Sequence, residues 1–131
     1  MSTPRMNYAS GSPWEDRVGY SRAVRVGPFL EVSGTVASDE QGQVVGPGDP
    51  YQQTRYIYRK IEQVLRQAGA SLEDVVRVRM FVTDISRWQD YGRAHHEFFA
   101  HIKPCNTMVE VSALIDPAYL VEIEVSAVLD R

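Results

Sequence analysis

Residues 103–128 read KPCNTMVEVSALIDPAYLVEIEVSAV, two valine-rich runs joined by a short loop. Both runs have the composition of interior β-strands, yet they also contain Glu110, Glu122 and Glu124. Successive residues of a strand point to opposite faces of its sheet. Each run is therefore predicted to be a strand with one aliphatic face and one mixed face.

The two faces can be assigned residue by residue, together with those of a third strand predicted over residues 75–82. The predicted aliphatic positions are Val76, Val78, Met80 and Val82 in that third strand, Val109 and Val111 in the first run, and Val121, Ile123 and Val125 in the second. The predicted mixed positions are Arg77, Arg79 and Phe81, then Met108, Glu110 and Ser112, and finally Glu122, Glu124 and Ser126. The mixed face thus combines arginines on one strand with glutamates on two others.

The preceding residues predict a hairpin and a helix. The runs GYSRAVRV and FLEVSGTVA, separated by Gly27 and Pro28, are typical of a β-hairpin. A short edge-like run follows at Val44 and Val45. Apolar residues then recur at helical spacing after an Asp-Pro pair at positions 49–50, and Gly69 is predicted to end this first helix.

Residues 86–102 predict a second helix, with Ser86 as its N-cap and Pro104 ending it. Residues 1–17 lack a regular period and are predicted to form an N-terminal arm, while residues 18–131 form a single domain. The element order is ββ(β)αβαββ. This order predicts an α+β fold with one mixed sheet and two helices on one face.

Two helices with single apolar stripes can cover only the aliphatic face of this sheet. The mixed face then has no cover within the chain, although it contains Phe81, Met108 and Leu120. An antiparallel sheet can leave such a face in water. The apolar content favours instead an oligomer in which the mixed faces meet and their arginines and glutamates pair.

Composition excludes several classes of function. The 131 residues have a net charge of −3, so no basic surface for nucleic acid is expected. Cys105 is the only cysteine, which excludes an internal disulfide and fits a reducing cytoplasm. No run is long and apolar enough for a membrane span. No metal site is expected, since His95, His96 and His101 lack the spacing of a helical zinc motif, and no cofactor is predicted.

The chain resembles the RidA (reactive intermediate deaminase) family, also called YjgF, from about Gly19 onward. The stretches that carry the resemblance are GPFLEVSGTVA, LRQAGASLEDVVRVRMFVTD, HEFF and PCNTMVEVSALIDPAYLVEIEVSAV. The resemblance implies a chorismate-mutase-like fold. It also implies a homotrimer built around a barrel of sheets, with clefts for a small metabolite between subunits.

The resemblance further implies a set of site residues. Tyr20 matches a tyrosine near the first strand, Ser33 and Gly34 match a serine-glycine pair, and Glu122 matches a glutamate that positions or activates water. In deaminating members an arginine holds the substrate carboxylate, but here Asn106 stands at that position, followed by Thr107.

Each candidate also has a structural interpretation. Asn106 suits a turn residue as well as an amide that binds a neutral polar ligand. Glu122 is interpreted either as an ion-pair partner of Arg77 or Arg79 or as a general base. Ser33 and Gly34 suit a close approach of two backbones as well as a ligand site.

Three functional hypotheses follow. The first is a trimeric metabolite-binding protein that hydrolyses an imine, an enamine or a related C–N bond. The second is a non-catalytic protein that binds a metabolite or regulates a partner. The third, an endoribonuclease, is disfavoured by the acidic net charge. The substrate and the pathway do not follow from the sequence.

Overall fold

The computed structural model describes residues 3–130, so Met1, Ser2 and Arg131 of the predicted arm and domain lie outside the described residues. Within this range one mixed sheet contains six strands in the order β1-β2-β3-β6-β4-β5. The strands are β1 Arg5–Tyr8, β2 Ala23–Val26, β3 Phe29–Thr35, β4 Val75–Val82, β5 Cys105–Glu110 and β6 Val121–Val128. Only the pair β4 and β5 is parallel. The predicted α+β fold is confirmed.

The α-helices are α1 Pro13–Val18, α2 Pro50–Gln67 and α3 Trp88–Phe99. Asp49 caps α2 by accepting a hydrogen bond from the Gln52 amide at 3.0 Å. After the last turn Gly69 takes a left-handed conformation with φ 84°, and the Ala70 amide donates to the Leu65 carbonyl at 2.8 Å. This closure needs a positive φ, which explains the glycine that ends the helix.

The core lies between the sheet and the two long helices. From β6 it receives Val121, Ile123, Val125 and Ala127, all at most 2% exposed. From the helices it receives Ile57, Tyr58, Ile61, Leu65, Tyr91 and Phe99. The predicted face assignment is confirmed for β6. We call the opposite side of the sheet the outer face, and no described helix is packed over its centre.

The N-terminal segment differs from the predicted arm, because it contains regular structure. β1 pairs antiparallel with β2, from Arg5 opposite Val26 to Tyr8 opposite Ala23. Ser12 caps α1 by accepting from the Trp14 amide. The Ser-Pro pair at positions 12–13 is a helix-start signal that the overall lack of period obscured.

The prediction for β5 was wrong in its choice of buried face. Met108 pairs with Met80 and packs against the core, while Val109 pairs with Phe81 and is 42% exposed. Glu110 accepts a hydrogen bond from the Ile85 amide rather than lying on the outer face. Alternation indicates which residues share a face, but in an edge strand with few apolar residues it does not decide which face is buried.

Three smaller predictions also need correction. The run at Val44 forms only an isolated bridge to Ser38, not a strand. At the start of β4 the register shifts, so that Val75 is buried and Val76 is 47% exposed. Ahead of α3 the cap is Asp84, which accepts from the Ser86 amide and begins a short 3₁₀ turn over Ile85–Arg87.

Candidate functional site

The outer face carries charged side chains that pair within the chain. Arg79 Nη1 lies 3.6 Å from Glu124 Oε1. Arg77 Nη1 donates to Thr107 Oγ1 at 3.2 Å. One interpretation of the sequence was that Glu122 pairs with Arg77 or Arg79, but neither of these two contacts involves Glu122. The Glu122 carboxyl is therefore left for another role.

Glu122 lies directly against Gly34. The register between β3 and β6 shifts between Val32 and Thr35, which brings the Gly34 backbone close to the glutamate side chain. A β-carbon at position 34 would overlap Glu122 Oε2 and lie 3.0 Å from Cδ. A strand glycine that permits close approach explains the serine-glycine pair in β3.

Burial raises the pKa of the Glu122 carboxyl above its ordinary value. The nearby charge of Arg22 opposes this effect, and the charge of Glu124 adds to it. A carboxyl group whose proton affinity is raised toward neutral pH is better suited to general acid-base catalysis than a fully solvated one.

A cavity of about 350 Å³ opens beside this carboxyl on the outer face. Its lining residues are Gly34, Phe81, Val111, Ala113, Leu114, Glu122 and Glu124. The wall is mainly apolar and the two glutamates supply its charge. We call it the Glu122 cavity.

A second cavity of about 480 Å³ contains the other two candidates from the N-terminal half. Its lining residues are Arg5, Asn7, Glu15, Asp16, Gly19, Tyr20, Ser21, Val24 and Ser33. The Ser33 hydroxyl donates to the Ser21 carbonyl at 2.7 Å, and Tyr20 is 39% exposed. We call it the Tyr20 cavity. The four candidates thus separate between two cavities, Gly34 and Glu122 lining the first and Tyr20 and Ser33 the second.

Two further residues in this region were missed by the sequence interpretation. Arg22 Nη2 donates to the carbonyl of Gly34, a residue that lines the Glu122 cavity, at 2.6 Å. Glu15 is only 6% exposed and accepts hydrogen bonds from the amide and hydroxyl of Ser10. The only sequence signal for Arg22 is its position two residues after the candidate Tyr20. Glu15 lies in a segment that was predicted to lack regular structure.

Asn106 and Thr107 do not line either cavity of the single chain. Both are exposed residues of β5, at an edge of the sheet, where Asn106 pairs with Val78 and Thr107 with Arg79. Three strand spacings separate β5 from β3, or about 14 Å at the usual spacing. The structure brings Tyr20, Ser33, Gly34 and Glu122 into one region and leaves the other two candidates apart.

The described residues, 3–130, contain no group of three or more histidine, cysteine, aspartate or glutamate side chains that could hold a metal ion. In the same range no helix is long and apolar enough to cross a membrane.

Comparison with known sequences identifies relatives over most of the chain. A family model described as Endoribonuclease L-PSP matches residues 13–129. An uncharacterized protein of Streptomyces coelicolor is 36% identical over 118 residues, which are 90% of this chain and 87% of that protein. A RutC family protein of Pyrococcus abyssi is 38% identical over 96 residues, which are 72% of this chain and 75% of that protein.

Solved structures show the same fold. A member of the YjgF/YER057c/UK114 family from Mycobacterium tuberculosis superposes with a TM-score of 0.87 and 50% identity, covering 96% of this chain and 100% of that one. A protein of the conserved Rid family from Yersinia pestis superposes with a TM-score of 0.83 and 30% identity, again covering 96% and 100%. Sequence and fold are therefore shared over nearly the full length.

Proposed function

Because the chain belongs to the YjgF/RidA family, we propose that it binds a small metabolite at subunit boundaries of a homotrimer and hydrolyses an imine, an enamine or a related C–N bond. The observation that carries this proposal is Glu122, a half-buried carboxyl beside an open cavity, with a raised pKa. Its carboxyl occupies the space that a side chain at position 34 of β3 would need.

In the proposed reaction Glu122 acts as a general base. Its carboxylate accepts a proton from water while the water oxygen attacks the imine carbon, and the C=N electron pair moves to nitrogen, which takes up that proton from the Glu122 carboxyl. The resulting carbinolamine collapses: the hydroxyl loses its proton, the C–N bond breaks, and the amine leaves with its electron pair and a proton. The products are a carbonyl compound and an amine, and an imine with an unsubstituted nitrogen releases ammonia.

The trimer is proposed because one chain does not complete the predicted site. Asn106 and Thr107 lie at the β5 edge, away from Glu122 in the same chain. The outer face also leaves Phe29 61% exposed and Val109 42% exposed. If outer faces meet around a threefold axis, apolar area leaves water and the β5 edge of one copy can border a cavity of the next.

The test compares wild type with Glu122→Gln on a neutral imine generated in situ, one that carries no carboxylate. We expect turnover to fall about 10²-fold to 10⁴-fold, the usual contribution of a general base, with binding of a substrate analogue retained. Glu31→Gln is the matched control, since Glu31 is an outer-face glutamate that accepts from Ser126 and lines neither cavity. Undiminished turnover in Glu122→Gln would refute the proposed role.

The non-catalytic alternative is favoured by Asn106, which stands at the position where the family resemblance implies a substrate-binding arginine. A protein of this kind needs the cavity but no proton acceptor. It would bind the analogue in both wild type and Glu122→Gln and accelerate hydrolysis in neither. Binding measured by calorimetry, together with ammonia release, separates the two functions.

A further inference from the structure

Arg22 connects three residues of the candidate site. Its guanidinium donates to the Gly34 carbonyl at 2.6 Å, and Gly34 in turn packs against Glu122. The charge of Arg22 also acts on Tyr20 and on the Glu122 carboxyl. One side chain therefore contacts the Gly34 carbonyl beside the Glu122 cavity and interacts with the group proposed to activate water.

The placement of Arg22 is unfavourable for folding alone. Burial lowers the pKa of its guanidinium, and its buried Nε has no hydrogen-bond partner within residues 3–130. An unpaired buried donor destabilises a fold, and an apolar side chain in place of a buried charge is often tolerated better. Side chains that break such local rules are concentrated at functional sites.

We propose that Arg22 is a positioning residue of this site, which holds the Gly34 peptide against Glu122 and keeps a positive charge beside that carboxylate. It acts through these two residues without touching the substrate. Its kinetic consequences rest on the proposed function, whereas its effect on the Glu122 carboxyl does not.

The charges around Arg22 come from three elements. Glu15 of α1 acts on it from the N-terminal side, where the Tyr20 side chain is also nearby, and Glu122 acts on it from β6. Lys60 of α2 also interacts with it, but the Lys60 ammonium is held by the carbonyls of Val36 and Ser38 at 3.0 and 2.9 Å. The Lys60 ammonium therefore has its own hydrogen-bond partners.

The direction of the effect on Glu122 follows from its own neighbours. Burial and the charge of Glu124 favour the protonated carboxyl, and Arg22 favours the ionised form. Removing the arginine leaves only the two effects that favour protonation. The pH at which Glu122 ionises must then rise.

The experiment follows the ¹³Cδ resonance of Glu122 through a pH titration, with Glu122→Gln used to assign the signal. We compare wild type with Arg22→Gln, Arg22→Lys and the matched control Arg25→Gln. Arg25 lies in β2 and also donates to backbone carbonyls, those of Gly27 at 3.0 Å and Ala68 at 2.8 Å, but it has no contact with Gly34 and is not among the charges that act on Glu122.

We expect the titration midpoint to move upward in Arg22→Gln, to stay near the wild-type value in Arg22→Lys, and to be unchanged in Arg25→Gln. The acid limb of kcat/KM should shift with the midpoint. Arg22→Lys keeps the charge but loses the forked donor, so kcat should fall roughly 10-fold to 100-fold while KM changes little.

The outcomes distinguish the inference from the proposed function. An unmoved midpoint in folded Arg22→Gln overturns the electrostatic role, whether or not the wild type is an enzyme. If Arg22→Gln does not fold, Arg22→Lys decides, because wild-type kcat in that variant overturns the positioning role. A wild type that hydrolyses no imine, but whose midpoint moves as expected, refutes only the proposed function.

Discussion

Position 34 leaves no space for a side chain, because Glu122 fills the volume that a β-carbon would occupy. Gly34→Ala is therefore expected to displace the Glu122 carboxyl. Overpacking of this kind costs about 1–3 kcal/mol of unfolding free energy, and a displaced catalytic group can lower turnover about 10²-fold. Urea unfolding and imine hydrolysis measure the two effects.

Gly92 provides the control for this substitution. It lies in α3, and a β-carbon there would meet no heavy atom within 4 Å. Gly92→Ala should leave turnover unchanged and raise the free energy of unfolding by up to about 1 kcal/mol, the helical advantage of alanine. If Gly34→Ala and Gly92→Ala changed turnover and the free energy of unfolding equally, the contact between Gly34 and Glu122 would be important for neither.

Asn106 gives a prediction about substrate preference. An asparagine offers a neutral donor where a guanidinium would form charge-assisted bonds worth about 1.5–3 kcal/mol, or roughly 10-fold to 150-fold in affinity. Wild type is therefore expected to hydrolyse carboxylated imines poorly, and Asn106→Arg to improve kcat/KM for them but not for a neutral imine.

Gln63→Arg adds the same charge on the exposed surface of α2 and should change neither rate. If wild type is already efficient on carboxylated imines, another cation binds the carboxylate. The prediction would then be wrong, and Arg79, which lies 3.6 Å from Glu124 of the Glu122 cavity, would be the first candidate to examine.

For single residues, the sequence predicted the environment of a side chain only where the neighbouring residues in the chain determine that environment. A glycine in a β-rich run indicated a close approach at position 34, although the group that approaches is the Glu122 side chain and not the neighbouring backbone expected. Alternation correctly placed Glu122 on the face opposite to that of Val121 and Ile123. Arg22 and Glu15 were missed because long-range packing determines their environment. Nothing within a few residues of Arg22 indicates that its side chain meets the Gly34 carbonyl.

Among the elements, α2 and α3 are joined by a buried polar contact. The Tyr58 hydroxyl lies 2.7 Å from His95 Nδ1, and the His95 ring stacks on Phe99. Burial, with a smaller contribution from His96, lowers the pKa of His95 to about 4 from an ordinary value of 6.5. The folded protein therefore favours the neutral imidazole.

This contact predicts a pH dependence of stability. Between about pH 6.5 and 4 the unfolded chain binds a proton that folded His95 does not, so the free energy of unfolding falls as the pH is lowered through this window. Above pH 6.5 the effect vanishes. Chemical denaturation of wild type and His95→Gln at several pH values should show a shallower decline in the variant.

The exposed His101 supplies the control, because His101→Gln should keep the wild-type decline. Parallel stability curves for wild type and His95→Gln would mean that the imidazole is not protected from protons. The sequence predicted both helices but not this contact, since helical spacing indicates which residues are buried without showing which of them meet.

The β5 edge shows the same limit for strands. Period-two alternation was correct for β6, where every second residue is aliphatic, and it failed for β5, where Met108 rather than Val109 packs on the core. The β1 strand was missed altogether. Its residues are mostly exposed, so β1 is formed by backbone pairing with β2 and leaves no hydrophobic pattern.

For the whole molecule, the outer face predicts assembly. Arg79→Glu would put a like charge beside Glu124, where the wild-type pair is separated by 3.6 Å, and should weaken a trimer whose outer faces are buried. Arg66→Glu is the matched control, since Arg66 pairs with Glu62 at 3.2 Å on the surface of α2. Light scattering should show a reduced mass only for Arg79→Glu.

A reduced mass for both variants, or for neither, would show that the outer face is not the interface between copies of the chain. The expected wild-type mass is three times the chain mass of 14.8 kDa. The trimer could not be derived from the sequence pattern alone. The uncovered mixed face predicted a partner surface, and only the family resemblance implied three copies.

In the proposed trimer the working site needs two copies of the chain, with Glu122 from one and the β5 edge from the next. The most direct test mixes two inactive variants, Glu122→Gln and Thr107→Trp, by refolding them together at equal amounts. In random trimers with a head-to-tail interface, about one boundary in four then has both wild-type residues, so about a quarter of wild-type activity should return. Activity no greater than that of the separate variants would contradict a shared site.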